Sequence, residues 1–360
     1  QRKKPPQTEA ARGECMRQIT ISANDGGQRL DKFLQKFMPA LPQALMYRYL
    51  REKRVRINGE HCKSGERRLC RGDVLTLYIR DEFFRAPSAA DAFAHKKARV
   101  CVIYEDENLL IAEKPAGQLC HAGDGNGAEN ADTLIDHIKA YLHERGEYDP
   151  AAEQSFVPAL CNRIDRNTAG LVLAAKNAEA LRQMNLVIRE KEGLEKFYLC
   201  AVHGAAAPCC GTLRDYLRKD AQQKRVFLSK MPQKGAKLAL TQYCTLAKNE
   251  TLSLLLVRLI TGRTHQIRAQ FANAGMPLLG DGKYAVNKAD RALGYKSQAL
   301  YAACLRFSLP PEHFFGYLSG RLFFAPPAHI WFLREFPDFP SNEADFLKNV
   351  KKALDFPKDL

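Results

Sequence analysis

The sequence predicts an α+β protein of two domains. Short apolar runs of strand length are mixed with amphipathic helical segments, a chain of 360 residues exceeds one comfortable core, and an aperiodic stretch divides it. That stretch, residues 81–98, holds Pro87, Ser88 and an alanine-rich run and is expected to be a linker. The expected division is a disordered basic extension over 1–15, a small domain over 16–80, the linker, a large domain over 99–336 and a tail over 337–360.

The small domain opens with a helix. Leu30, Phe33, Leu34 and Phe37 recur at helical spacing until Pro39 and Pro42 interrupt. A second helix is expected from Gln43 to Glu52, with Leu45, Tyr49 and Leu50 on its apolar face. Val55 to Asn58 reads as a strand entering a tight Asn58-Gly59 turn. After Gly72-Asp73, the alternation of Val74, Leu75, Leu77 and Ile79 closes the domain as another strand.

Charge narrows the class of partner. Lys and Arg number 55 against 40 Asp and Glu, a net +15, which favours a polyanion because each neutralised phosphate releases counterions. Nine of those cations fall between Pro42 and Gly72, against three acids. The arrangement resembles the alpha-L RNA-binding domain, carried here by Val55-Arg56-Ile57-Asn58-Gly59 and Gly72-Asp73-Val74-Leu75. The resemblance implies that Arg48, Arg51, Lys53 and Arg54, read as helix-borne, meet RNA phosphates together with Arg56. A solvated basic face is the plainer alternative.

Other classes are disfavoured. The richest apolar run, Leu252 to Ile260, is interrupted by Arg258 and is shorter than the roughly 18–20 residues a membrane span needs. The first fifteen residues carry Arg2, Lys3 and Lys4 and lack the apolar stretch of a secretory signal. Eleven cysteines, an odd count with no zinc-finger spacing, are expected to be reduced thiols, with no metal. A cytoplasmic protein is expected.

In the large domain, strands are expected at Val100 to Tyr104, Leu109 to Ala112 and Leu252 to Ile260, and helices at Thr133 to Leu142 and Ala178 to Arg189. The tail has a helical pattern of its own in Phe346, Val350 and Leu354. Three segments place polar residues within apolar surroundings. In Asn162-Arg163-Ile164-Asp165-Arg166-Asn167-Thr168-Ala169-Gly170, an aspartate lies between two arginines whose charge would keep it ionised; an ordinary solvated turn is the alternative. Lys196-Phe197-Tyr198 alternates aromatics, a pattern more often mere strand packing. Gly262-Arg263-Thr264-His265-Gln266-Ile267-Arg268 concentrates groups suited to phosphates and carboxylates.

Together these segments resemble the RluA family of pseudouridine synthases. The first matches the family's HRLDxxTSG, the second its K-x-Y strand, and the third its GRTHQIR segment, continued at Gly275, Pro277, Gly280, Asp281 and Tyr284. Val102 to Gly117 and Leu300 to Leu305 agree as well, so the resemblance covers roughly residues 100–308. It implies a mixed, largely antiparallel sheet flanked by helices. It also implies that Asp165 is the catalytic carboxylate, that Tyr198 stacks on the target base and helps remove its C5 proton, and that Arg268 pairs with the aspartate. Arg163 would enter the RNA where the target nucleotide has left, and Arg166, Arg263, His265, Gln266 and Ile267 would contact substrate. Asn162, Ala169 and Tyr301 depart from the family's His, Ser and His.

The implied reaction breaks N1–C1′ of uridine, turns the base and rejoins C5 to C1′. It needs no cofactor. A carboxylate nucleophile at C6 or at C1′ suffices, once the base has been flipped out of its helix at a cost of a few kcal/mol. Structured RNA is the expected partner of a monomer, with large-subunit ribosomal RNA preferred over a tRNA stem-loop. A binding protein that keeps the fold without the catalysis is the alternative from another class.

Overall fold

The computed structural model describes residues 15–84, 93, 96–122, 132–220, 225–340 and 342–356. Residues 1–14 of the expected extension and most of the expected linker lie outside this set. The chain divides into two compact units.

The first unit contains β1 (Cys15–Thr20), α1 (Leu30–Phe37), α2 (Gln43–Arg51), β2 (Val55–Ile57), β3 (Glu60–His61) and β4 (Val74–Ile79). Its antiparallel sheet runs β1-β4-β2-β3. Leu30, Phe33 and Leu34 of α1 pack with Met46 and Leu50 of α2 onto Val55, Leu75 and Leu77, as the helical and alternating periodicities require. Asn58 takes positive φ at the turn between β2 and β3, and its side chain bridges to Asp73 and the Val74 amide at 2.8 Å each. Because α2 ends at Arg51, Lys53 lies in the turn that follows and Arg54 directly before β2, so neither is helix-borne. Residues 139–158 and 177–179 also belong to this unit. Asn24 donates to Glu153 at 2.7 Å, and Gln154 donates to the Thr20 carbonyl at 2.7 Å. The expected boundaries, drawn along the chain, had put these residues in the large domain.

The second unit is built on a mixed sheet of eleven strands among the described residues. They are β5 (Cys101–Glu105), β6 (Leu109–Lys114), β7 (Ala159–Leu160), β8 (Ala169–Ala175), β9 (Leu194–His203), β10 (Cys210–Asp220), β11 (Arg225–Ser229), β12 (Lys237–Lys248), β13 (Leu252–Leu259), β14 (Leu300–Phe307) and β15 (Leu322–Phe324). The main path runs β11-β10-β12-β13-β9-β14-β8-β6-β5, and every pairing except β14 with β8 is antiparallel. The helices are α3 (Leu134–Glu144), which enters the first unit from residue 139, then α4 (Ala178–Glu190), α5 (Gln266–Asn273), α6 (Lys288–Ala292) and α7 (Glu343–Ala353). None is long and apolar enough to cross a membrane.

Side chains alternate between the two faces of a sheet. Leu199, Leu171 and Tyr301 therefore point into the main core with Met184 and Val187 of α4 and Phe346 and Val350 of α7. Tyr198, one residue along, points to the face that carries α5. The region expected to be a tail is thus part of the main core: Phe339, Phe346, Val350, Leu354 and Phe356 are all buried there. Each such burial is worth about 1.5–3 kcal/mol, and a stripe spaced by four had no reason to stay in solvent. The expectation of uniformly reduced thiols also fails at one place: Cys210 and Cys244, directly opposed on β10 and β12, form a disulfide.

Candidate active site

Asp165 lies in the loop between β7 and β8, where the Thr168 amide donates to its carbonyl at 3.0 Å. The loop has no latitude in its path. Gly170 follows at φ 114°, and a Cβ there would come within 2.3 Å of the Ala302 carbonyl oxygen on β14, so only glycine lets β8 and β14 approach. Beneath the loop, the fully buried Lys114 Nζ donates to the carbonyls of Pro115, Gln118 and Arg166 at 2.8, 2.9 and 3.0 Å. One ammonium thereby ties the end of β6 to the residue after Asp165. Burial lowers the Lys114 pKa to about 8, and the charge of Asp165 works against that fall.

The partner of Asp165 comes from α5. Arg268 Nη1 donates to Asp165 Oδ2 at 3.1 Å, while its Nε and Nη2 grip both oxygens of Asp281 at 2.7 and 2.9 Å. Asp281 Oδ1 also accepts from the amides of Lys283 and Tyr284. Burial works against the ionised Asp281, yet the Arg268 hydrogen bonds leave its pKa below the ordinary range. Two planar groups locked edge to edge set the direction of the third nitrogen, and that nitrogen meets Asp165. The Asp165 side chain is 26% exposed, against 9% for Arg268 and 1% for Asp281. Two carboxylates therefore share one guanidinium, one sealed and one open.

The rotation of α5 is set by two buried glutamines. Gln266 Oε1 accepts from the Thr261 hydroxyl and the Arg263 amide, and its Nε2 donates to the Leu240 carbonyl and the Thr241 hydroxyl. One turn on, Gln270 Oε1 accepts from Thr241 at 2.7 Å and its Nε2 donates to Asp215 at 2.8 Å. These bonds pin the helix to β10 and β12.

The expected site residues separate accordingly. Asp165, Arg268 and His265 converge, with His265 Nε2 3.9 Å from Asp165 Oδ2. Tyr198, 7% exposed on β9, lies where burial, then the Asp165 charge, pushes its phenol pKa well above the ordinary value. Gln266 is a strut instead of a substrate contact, because all four of its hydrogen-bonding positions are used. Ile267 is buried, and the Arg263 Nε is held by the Leu238 carbonyl at 3.1 Å. The charge beside Asp165 does not come from Arg166 as expected: that residue turns away and donates to the Gly117 carbonyl at 2.9 Å. Arg163 is exposed. In the first unit, Arg48 and Arg54 both pair with Glu52, Arg54 lies over Tyr49 and Arg56 over Tyr78, while Arg51 and Lys53 are exposed.

Lys114, Asp281 and Tyr284 were missed as site residues. Asp281 and Tyr284 stood in a matched motif, and the signal was an acid after a glycine, thirteen residues beyond an arginine on an apolar helix. Lys114 offered only a lysine closing an apolar strand.

Comparison with known proteins agrees with this geometry. A family profile described as RNA pseudouridylate synthase matches residues 108–273, and the S4 domain profile matches residues 28–75. The chain is 32% identical over 297 residues to the ribosomal large subunit pseudouridine synthase C of Yersinia pestis, covering 81% of this chain and 88% of that protein. An uncharacterized RNA pseudouridine synthase of Aquifex aeolicus is 30% identical across 91% of this chain and 94% of its own length. Among solved structures, human RNA pseudouridylate synthase domain containing 1 covers 63% of this chain, and this chain 83% of that one, at 19% identity and a TM-score of 0.47. With Asp165, Tyr198 and Arg268 all inside the matched span and identity above 30% over four-fifths of its length, the chain belongs to the RluA family of RNA pseudouridine synthases.

Proposed function

We propose that this enzyme isomerises specific uridines in the ribosomal RNA of the large subunit, acting as a cytoplasmic monomer, with Asp165 as the nucleophile. The observation that carries the reading is the shared guanidinium. Arg268 is committed to Asp281 by two hydrogen bonds and presents one more to Asp165, which aims the open carboxylate without burying it. An oriented, partly exposed carboxylate is what attack on C1′ or C6 requires. Tyr198 supplies an aromatic face for the flipped base, and stacking of that kind returns roughly 1–3 kcal/mol of the flipping cost. With its phenol pKa raised by burial, Tyr198 serves better as a platform than as the base that takes the C5 proton. The exposed Arg163 is suited to fill the gap left in the RNA.

The substrate assignment leans on the relatives named for the large ribosomal subunit and on the basic first unit, which suits a large folded RNA. Pseudouridine mapping of total RNA from cells with and without the gene tests it. Loss of one or a few sites in large-subunit RNA, restored by the wild-type gene and not by Asp165→Asn, is the expected result. Loss confined to tRNA would reassign the substrate, and restoration by Asp165→Asn would remove the nucleophile.

A further inference from the structure

His265 stands at the N-terminal cap of α5 with φ 52°, a left-handed conformation that a non-glycine residue adopts only when its surroundings demand it. Its two ring nitrogens face different partners. Nδ1 is 2.8 Å from the Tyr284 hydroxyl, and Nε2 looks toward Asp165 Oδ2 across 3.9 Å. That gap is too long for a hydrogen bond and lies beside the carboxylate that acts on the substrate.

The tautomer follows from the next bond outward. Strand β11 is the edge of the large sheet, and the Val226 amide on it donates to the Tyr284 hydroxyl at 3.1 Å. An amide can only donate, so the phenol oxygen accepts there, and its own proton is free to go to His265 Nδ1. The reverse arrangement would aim two N–H groups at one oxygen and turn the phenol proton away from the imidazole. Nδ1 therefore accepts, and the ring proton sits on Nε2, facing Asp165. The Tyr284 ring is held in turn by Arg268 and Arg225, whose guanidinium carbons lie 5.4 and 5.5 Å from its centroid. Burial, with Arg268 and Lys283 nearby, outweighs the charges of Asp165 and Asp281 and favours the uncharged imidazole.

We propose that His265 donates its Nε2–H to a carbonyl oxygen of the target uracil, and that Tyr284 is the positioning residue that fixes the tautomer this requires. The inference rests on the reading of Asp165 given above. When N1–C1′ breaks, its electron pair stays with the uracil and spreads onto the ring carbonyls. With Asp165 bonded to C1′ in place of N1, C5 must then attack C1′ with a pair from that same ring and displace the Asp165 carboxylate, after which C5 gives its proton to solvent and N1 takes one from solvent. A donor that transferred its proton to the detached base would quench the nucleophile before C5 could use it. A neutral imidazole N–H stabilises the developing charge and keeps its proton throughout. The chain Val226–Tyr284–His265 thus prepares an electrophilic contact from an edge strand.

The test uses the full chain labelled with ¹⁵N-histidine, the His265 signals being assigned by their absence in His265→Asn. In the free enzyme at neutral pH the ¹⁵N shifts should show Nε2 protonated and Nδ1 bare. A ring protonated on Nδ1, or on both nitrogens, overturns the proposal. Tyr284→Phe should give shifts averaged over both tautomers and lower kcat about tenfold, with KM within twofold; an unmoved tautomer with unmoved kcat overturns the role of Tyr284. His265→Leu should lose about 10²-fold in kcat, the scale of one missing donor at a developing oxyanion. His265→Gln, which restores an N–H near the same place, should recover at least tenfold of that loss. Equal rates for folded Leu and Gln variants overturn the donor. Activity surviving in Asp165→Asn would refute the nucleophile and leave the tautomer measurement standing, so the two failures are distinguishable.

Discussion

Asp165 and Glu113 are carboxylates attached to the same strand pair, Asp165 in the loop that enters β8 and Glu113 on β6 opposite Leu171 of β8, yet their surroundings differ. Asp165 lies on the α5 side, a quarter exposed, against a permanently charged guanidinium that is anchored elsewhere. Glu113 lies on the core side with 6% exposure and is held by the Tyr301 hydroxyl, by His329 Nδ1 at 2.8 Å and by Cys101 Sγ at 3.4 Å. Burial and the hydrogen bond to Glu113 both raise the pKa of the Tyr301 phenol far above its ordinary value. Glu113 takes three donors on its two oxygens, whereas Asp165 takes one side-chain donor, Arg268, and stays partly exposed. A buried carboxylate gripped by several donors holds strands together. An open one beside a fixed cation is held in place and left available to a ligand. Tyr301, where the family has histidine, belongs to the structural member of this pair.

The comparison breaks most simply at Asp165. Asp165→Asn is expected to reduce turnover by at least about 10⁴-fold, the scale of losing a nucleophile, with little change in the melting temperature. Tritium release from 5-tritiated uridine in RNA measures it, and near-normal release would assign the chemistry to another group. Arg268→Lys keeps the charge and loses the fork. It should lower kcat about 10²- to 10³-fold and cost a few kcal/mol by leaving Asp281 poorly paired, read from single-turnover rates and denaturant unfolding.

Glu113→Gln should do the opposite. One accepting oxygen becomes a donor facing donors, so about 1–3 kcal/mol of stability is lost, a fall of roughly 3–10 °C in melting temperature, while turnover at saturating RNA stays within a few-fold. A large drop in turnover without destabilisation would give the core-side carboxylate a role in the chemistry.

Acid sharpens the contrast through His265. Its pKa is depressed to about 4 by burial, against roughly 6.5 in the unfolded chain, so between those values the unfolded state binds the extra proton. The stability linked to this group is present above about pH 6.5 and is lost as pH falls through 4. His265→Asn, which tolerates the left-handed backbone, should flatten the slope of melting temperature against pH in that window by up to one proton's worth. An unchanged slope would place the acid sensitivity elsewhere. The smallest effect is expected in the first unit, where Arg54→Ala breaks an exposed pair with Glu52. Stability should move by at most about 0.5 kcal/mol, and the salt dependence of RNA binding should weaken by about one phosphate contact.

Periodicity and motif, read along the chain, located α1, α2, α4, β4, β5, β6 and β13 to within a residue or two, because each is specified by neighbours three, four or two positions away. The same reading placed Asp165, Tyr198 and Arg268 in one site, through a resemblance carried by segments that are each short and polar. It could not say that Arg166 turns to Gly117 while Arg268, 103 residues from Asp165, supplies the charge, because adjacency in a loop does not fix where a long side chain points. Nor could it say that Gln266 is spent on β12, that Glu113 meets Tyr301, or that the region after 337 closes the core. Those outcomes depend on which strands become neighbours and on which face of the sheet a residue alternates to. Local sequence determined the elements and the inventory of reactive groups. Tertiary structure decided which carboxylate is buried and which is left open, because burial and hydrogen-bond saturation belong to the assembled sheet rather than to any segment of it.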